Sequence, residues 1–144
     1  MKRFKWRELV AGLTLGGLLF FPWGNLLEVD PYSDVDVVSV SLEEDGVVIT
    51  ANFRKNECAF KRLEVFGYVF GELQIITWEN VAVGAEEDYG PNYDRTKGDQ
   101  TLRIRVKTNG VDYDKLEIRT RHNCNGKNVD RVFATIHTGA LNGQ

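Results

Sequence analysis

A chain of 144 residues with 42% hydrophobic and 27% charged side chains has room for one folded domain and a short appendage, and its composition is too ordinary for a disordered or low-complexity protein. The formal net charge of −3 offers no bulk electrostatic basis for binding nucleic acid, so no nucleic-acid partner is expected.

The N-terminus departs from that average. "MKRFKWR" sets Lys2, Arg3, Lys5 and Arg7 ahead of 19 uncharged residues, Leu9 to Leu27. As a helix these would span roughly 28 Å, close to the hydrocarbon thickness of a bilayer. A cleaved signal peptide would need small residues at an A-x-A-like site, and "FFPWGNLLEVD" has only Gly24. Residues 1–27 are therefore expected to be a cytoplasmic basic tip and a retained signal-anchor helix, with Trp6 and Trp23 near the two interfaces. The flank beyond carries Glu28, Asp30, Asp34 and Asp36 and no cation, so the positive-inside rule places the N-terminus in the cytoplasm and the rest of the chain outside. Without the four cations and Glu8, that exported part is left at net −6. Gly12 and Gly16 form a G-x-x-x-G spacing through which two such helices could pair as a homodimer, although glycine is common in membrane segments anyway.

Residues 28–34 read as an acidic linker, with Pro31 stopping any helix. Alternation then takes over through 35–144. "VDVVSVSL" (35–42) sets Val38, Val40 and Leu42 on one face, "EEDG" is a hairpin turn in which Asp-Gly supplies positive φ, and "VVITANF" (47–53) alternates Val47, Ile49, Ala51 and Phe53. "CAFKRLEVFGYVF" (58–70) fits a helix face through Phe60, Leu63, Gly67 and Phe70, but its Val and aromatic content favours a strand bulged at Gly67. "LQIITWENVAV" (73–83) is one further strand or two. Residues 84–100 have no periodicity and form a long loop of the kind that usually carries function or disorder.

"TLRIRVKT" (101–108) then points Leu102, Ile104 and Val106 inward and Arg103, Arg105 and Lys107 outward. "KLEIRTRHN" (115–123) points Leu116 and Ile118 in and Arg119 and Arg121 out, "NGK" is a turn, and "VDRVFATIHT" (129–138) closes the set. Seven or eight short strands with regular turn signals and no helix after residue 27 predict an all-β protein, an antiparallel immunoglobulin-like β-sandwich behind one transmembrane helix. A small barrel is the alternative.

Two cysteines in an exported domain are expected to pair. Cys58 opens the third strand and Cys124 follows 115–123. In an immunoglobulin-like order those strands are antiparallel neighbours, so the two would meet at one rim in a structural bridge, unlike the buried inter-sheet bridge of antibody domains. A zinc site from Glu57, Cys58, His122 and Cys124 lacks any C-x-x-C pair, so no metal is expected. A Cys58 dyad with His122 or His137 would need a free thiol in an oxidising space and a helix start that "CAFKRLEV" does not make. His122 near a rim reads as an ordinary surface histidine.

Two surfaces stand out. The loop 84–100 and its neighbourhood offer Tyr89, Tyr93, Asp94 and Arg95, exposed aromatics beside charges being typical recognition residues. Its carboxylates contain no calcium-loop series. Arg103, Arg105, Lys107, Arg119 and Arg121 are expected to share one outer face, either paired with neighbouring carboxylates or open to an anionic partner. No phosphate loop, G-x-S-x-G or paired-carboxylate signature occurs, so no cofactor and no enzyme activity is expected.

At "NECAFKRLEVFGY", "YDRTKGDQTLRIRV" and "RTRHNCNG" the chain resembles small membrane-anchored β-rich proteins of tailed bacteriophages and prophages, which carry a cysteine near the middle and another in an "RHC"-like context; Asn123 interrupts that last motif here. The resemblance spans about residues 50–125. It implies a bacterial inner-membrane address and no particular activity. The expected function is a non-catalytic, membrane-anchored interaction module whose domain lies in the periplasm and binds an envelope or phage protein. A glycan or cell-wall binder working through loop 84–100 is the alternative, and a cysteine-dependent hydrolase the third.

Overall fold

The computed structural model describes residues 29–83 and 95–140. The expected anchor helix, with Gly12 and Gly16, lies outside the described residues, as do Tyr89, Tyr93 and Asp94. Among the described residues no helix is long and apolar enough to cross a membrane.

The chain folds as an all-β sandwich. Among the described residues eight strands run in the order β1 (Tyr32–Glu43), β2 (Gly46–Lys55), β3 (Ala59–Val69), β4 (Glu72–Ile76), β5 (Trp78–Asn80), β6 (Gly98–Val106), β7 (Lys115–Cys124) and β8 (Lys127–His137), followed by a short 3-10 turn at Thr138–Ala140. They form two four-stranded sheets, β1-β2-β6-β5 and β4-β3-β7-β8, in which every pairing is antiparallel. The side chains that alternate inward from both sheets fill the space between them: Ile49 and Ile104 from one, Val65, Leu116 and Ile118 from the other, each at most 1% exposed.

One side of the sandwich closes where β1 meets β8. The Tyr32 ring stands edge-on to Phe133 at 5.1 Å, and Thr120 donates to the Tyr32 hydroxyl. On the other side the chain crosses between sheets at Thr77, from β4 straight into β5. The Lys107 N–H bonds the Thr77 carbonyl and the Trp78 indole donates to the Leu63 carbonyl, so this crossing is tied to both sheets.

Several local expectations need correction. Val38, Val40 and Leu42 do not share an inward face. Val38 is the extra residue of a bulge, the register passing from Val37–Ala51 to Ser39–Thr50. The bulge turns Val35, Val37 and Val40 toward the core and leaves Val38 49% and Leu42 59% exposed.

The third strand is bulged at Lys61, between the Phe60–His122 and Arg62–Arg121 pairs, and runs regularly through Gly67. Gly67 is required for space: an added Cβ would lie 2.3 Å from the Tyr113 ring and 2.5 Å from Ile76 Cδ1. In the first hairpin neither Glu44 nor Asp45 has positive φ; Gly46 instead allows β6 to approach, since a Cβ there would sit 1.9 Å from the Val106 carbonyl oxygen. The loop expected to run to residue 100 ends earlier, because β6 begins at Gly98 and pairs with Lys55.

Candidate interaction surface

The β3–β4 hairpin is built from an alternating segment that reverses in two residues. Val69 pairs with Glu72, leaving Phe70 and Gly71 as the turn, with φ of +50° and +80°. Both lie in the left-handed region, which a two-residue hairpin turn of type I′ demands and which Asn-Gly supplies best. A phenylalanine there is strained, because its Cβ crowds the neighbouring carbonyl. Phe70 gains no burial in return, for it is 97% exposed. Its N–H donates to Asp114 Oδ2 at 3.2 Å, and the Asp114 N–H bonds the Tyr68 carbonyl at 2.8 Å, which moors the tip to the segment leading into β7.

Beyond the tip, β4 is an edge strand. Ile76 faces the core and Gln74 accepts a hydrogen bond from the Tyr113 hydroxyl, so Leu73 and Ile75 point to the outer face, 49% and 74% exposed. That face continues onto β3. The Lys115 ammonium lies 3.9 Å from the centre of the Tyr68 ring, and the Arg119 guanidinium 4.6 Å from that of Phe66. Arg119 also donates to the Tyr68 hydroxyl and to the buried Glu117 carboxylate, which raises the guanidinium pKa further. An apolar edge thus grades into an aromatic and cationic face.

The five cations expected on one face are divided between two. Arg103, Arg105 and Lys107 belong to β6 and its end, on the outside of one sheet, while Arg119 and Arg121 sit on β7, outside the other. The sequence contains no signal for which strands share a sheet, so similar alternation in 101–108 and 115–123 read as one surface. The pairing with carboxylates is extensive. Arg105 bonds Glu43 and Glu79, and Lys107 reaches Glu79 at 3.0 Å. These bonds hold the Glu79 carboxyl below its ordinary range. Arg121 grips Asp130 through two bonds, at 2.6 and 2.7 Å, and lowers the Asp130 pKa in the same way. Arg95 donates to the Thr101 carbonyl at 2.7 Å, beside a shallow polar groove of about 410 Å³ lined by Asn52, Asp99, Gln100 and Thr101 among others.

Cys58 and Cys124 form the expected bridge, with a Cα–Cα distance of 4.6 Å. The next pair along is Ala59–Asn123, so the disulfide is one more rung of the β3–β7 ladder at the rim of a single sheet. Neither sulfur is a thiol, which leaves a cysteine nucleophile nothing to act with in this oxidised form. His122 is not a surface residue: it is 4% exposed, packed at 5.5 Å against both the Tyr32 and Phe60 rings. Among the described residues no group of three or more His, Cys, Asp or Glu side chains is arranged to hold a metal ion.

No protein family, curated protein or solved structure matches the chain. The surface therefore has to be read from its own chemistry. Alternation alone does not mark Phe70, Leu73 and Ile75 as contact residues. The signal that could have found them is the "FG" dipeptide in a segment of strand character, since a bulky residue placed directly before the glycine of a tight turn breaks a local rule.

Proposed function

We propose that this protein is a non-catalytic interaction module of a bacterial or phage-encoded envelope system. It is tethered by its N-terminal segment to the inner membrane, with the sandwich on the periplasmic side. The fold reading is immunoglobulin-like, supported by the order β1-β2-β6-β5 over β4-β3-β7-β8, in which the third and seventh strands are central neighbours of the second sheet. The disulfide supports export, since such bridges persist in oxidising compartments.

The observation that carries the functional reading is Phe70. A large aromatic held in a strained turn and 97% exposed is unfavourable for the isolated domain, and strain of this kind is retained where a site needs it. With Leu73 and Ile75 alongside, it offers a partner protein an aromatic anchor and an unprotected sheet edge, the pattern of strand-addition recognition. A photo-reactive amino acid at Phe70 or Ile75 in the membrane-bound chain should cross-link to a protein, and Phe70→Asn should abolish capture from position 75. Capture from positions 105 and 121, with none from 70 and 75, would overturn this choice of surface.

The polar groove beside Arg95, with its amide side chains Asn52 and Gln100, favours a second reading, a glycan or cell-wall ligand held near loop 84–100. Loss of sedimentation with cell wall on Asn52→Ala together with Gln100→Ala, with Phe70→Asn unaffected, would select it.

A further inference from the structure

The sandwich protects three of its four strand edges. β1 carries two bulges and Asp34 at a φ of +54°, β8 is bulged at Phe133 and charged at Lys127, Asp130 and Arg131, and β5 is only three residues long. Bulges, charges and shortness are the usual devices against edge-to-edge pairing. β4 is the least protected of the four: its pairing with β3 is regular along its five residues, it contains no Lys or Pro and a single charge, Glu72 at its start, and among the described residues no strand lies beyond it in its sheet.

We infer that β4 pairs with β4 of a second copy of this chain, antiparallel about a two-fold axis at Gln74. This rests on reading β4 as a contact edge. The two-residue turn makes Val69–Glu72 the hydrogen-bonded pair closing the hairpin, so the peptide groups of Glu72, Gln74 and Ile76 face β3 and those of Leu73 and Ile75 face outward. With the axis at Gln74, Leu73 of each copy meets Ile75 of the other as a hydrogen-bonded pair, and both exposed apolar side chains gain an apolar neighbour on the outer face.

Other registers are poorer. An axis at Leu73 sets Ile75 against Gly71, one at Ile75 sets Leu73 against Thr77, and one at Glu72 brings two carboxylates face to face. Glu72 is the strand's only charge, and the axis at Gln74 carries its two copies to opposite ends of the paired segment. One isologous contact in this register thus covers both exposed apolar residues of the edge, Leu73 and Ile75. Five residues per copy make an interface at the small end, below about 1,200 Å², and the association is therefore weak and concentration-dependent.

The test uses the full chain in its membrane. Cys58 and Cys124 are already paired, so a thiol introduced by Gln74→Cys is the only free one. On the two-fold axis two such thiols have Cβ atoms about 4.5–5.5 Å apart, near enough for mild oxidation to bridge them. The expected result is a non-reducing gel band at twice the 16.4 kDa chain mass, lost when Ile75→Lys is added. Glu72→Cys, with its thiols about 13 Å apart in this register, should stay monomeric. These side chains are exposed, so none of the changes enters the core, and intact mass confirms that the native bridge is kept.

Equal dimer bands from both cysteine variants, no band from Gln74→Cys, or a band that survives Ile75→Lys would each overturn the pairing. If Gln74→Cys stays monomeric while the cross-linker at Phe70 still captures a different protein, self-pairing fails and the interaction-module reading stands. If the cross-linker captures nothing either, both fail.

Discussion

Phe70 is the residue at which local stability and the proposed role pull apart. Its left-handed conformation disfavours any side chain with a bulky Cβ substituent by roughly 1–2 kcal/mol, whereas asparagine tolerates it and glycine already follows at position 71. Being 97% exposed, the ring contributes almost nothing to the core. Phe70→Asn is therefore expected to stabilise the domain by about 1 kcal/mol while removing the anchor. Urea unfolding checks the first half: the midpoint should rise with the slope unchanged. A lower midpoint would mean that contacts in the native state support the ring and outweigh any strain in the turn.

The elements are held by two kinds of clasp. At one rim the Cys58–Cys124 bridge closes a 66-residue separation, worth roughly 4 kcal/mol in the chain-entropy view. Paired substitution Cys58→Ala and Cys124→Ala should lower stability by about that much, read from denaturant midpoints, and leave the strand content seen by circular dichroism in place. A change under about 1 kcal/mol would show that the unfolded chain is already restricted elsewhere.

On the opposite sheet Glu79 from β5 joins Arg105 of β6 and Lys107 just past its end, and Arg105 also holds Glu43 of β1. The hydrogen bonds from Arg105 and Lys107 lower the Glu79 pKa from its ordinary 4.5. A carboxyl lowered in the folded state adds stability that is complete above pH 4.5 and is lost as pH falls through the lowered value. Glu79→Gln should flatten this part of the acid limb in a plot of melting temperature against pH and leave the alkaline side unchanged. An acid limb identical to that of the parent chain would remove Glu79 from the account.

Much of this element-scale structure is legible in the sequence. The strand around 101–108 alternates strictly because one face is buried, those around 47–53 and 115–123 alternate with Val48 and Glu117 buried as well, and the bridge follows once the third strand and the one ending at Cys124 are placed as neighbours. Asn125-Gly126 signals its turn directly, with φ of +53° and +82° in the structure. The rest depends on information that alternation does not hold. The bulge at Val38 reverses which valines face inward, and nothing local in "VDVVSVSL" marks it. The change of sheet at Thr77 is a tertiary event inside an unbroken β-branched run. Assigning Arg103 and Arg121 to opposite faces requires strand order, and the exposure of Ile75 requires knowing that β4 is an edge.

For the whole molecule, the decisive geometry is which pole the chain enters. Val29 leads to Pro31, whose carbonyl accepts from the Asn56 N–H, and Arg131 reaches Asp30, so the entry lies at the rim that holds the Cys58–Cys124 bridge. β3 runs from that rim to the Phe70 tip, and its 11 residues cover about 36 Å. In an anchored chain with strands along the membrane normal, the bridge would face the bilayer and Phe70 would stand clear of it. Antiparallel pairing through β4 points the two entry poles in opposite directions. Two anchored copies would then meet from facing membranes, or lie with β4 along one bilayer. A fluorescent amino acid at Asn56 or Phe70, read by quenching from brominated lipids, separates these arrangements. Equal quenching at both positions is the expected result, because only a domain lying with β4 along the bilayer lets two copies in one membrane pair antiparallel. Quenching at 56 alone would describe an upright domain and would overturn β4 pairing between copies in one membrane. Absence of quenching at either would remove the tether from the proposal.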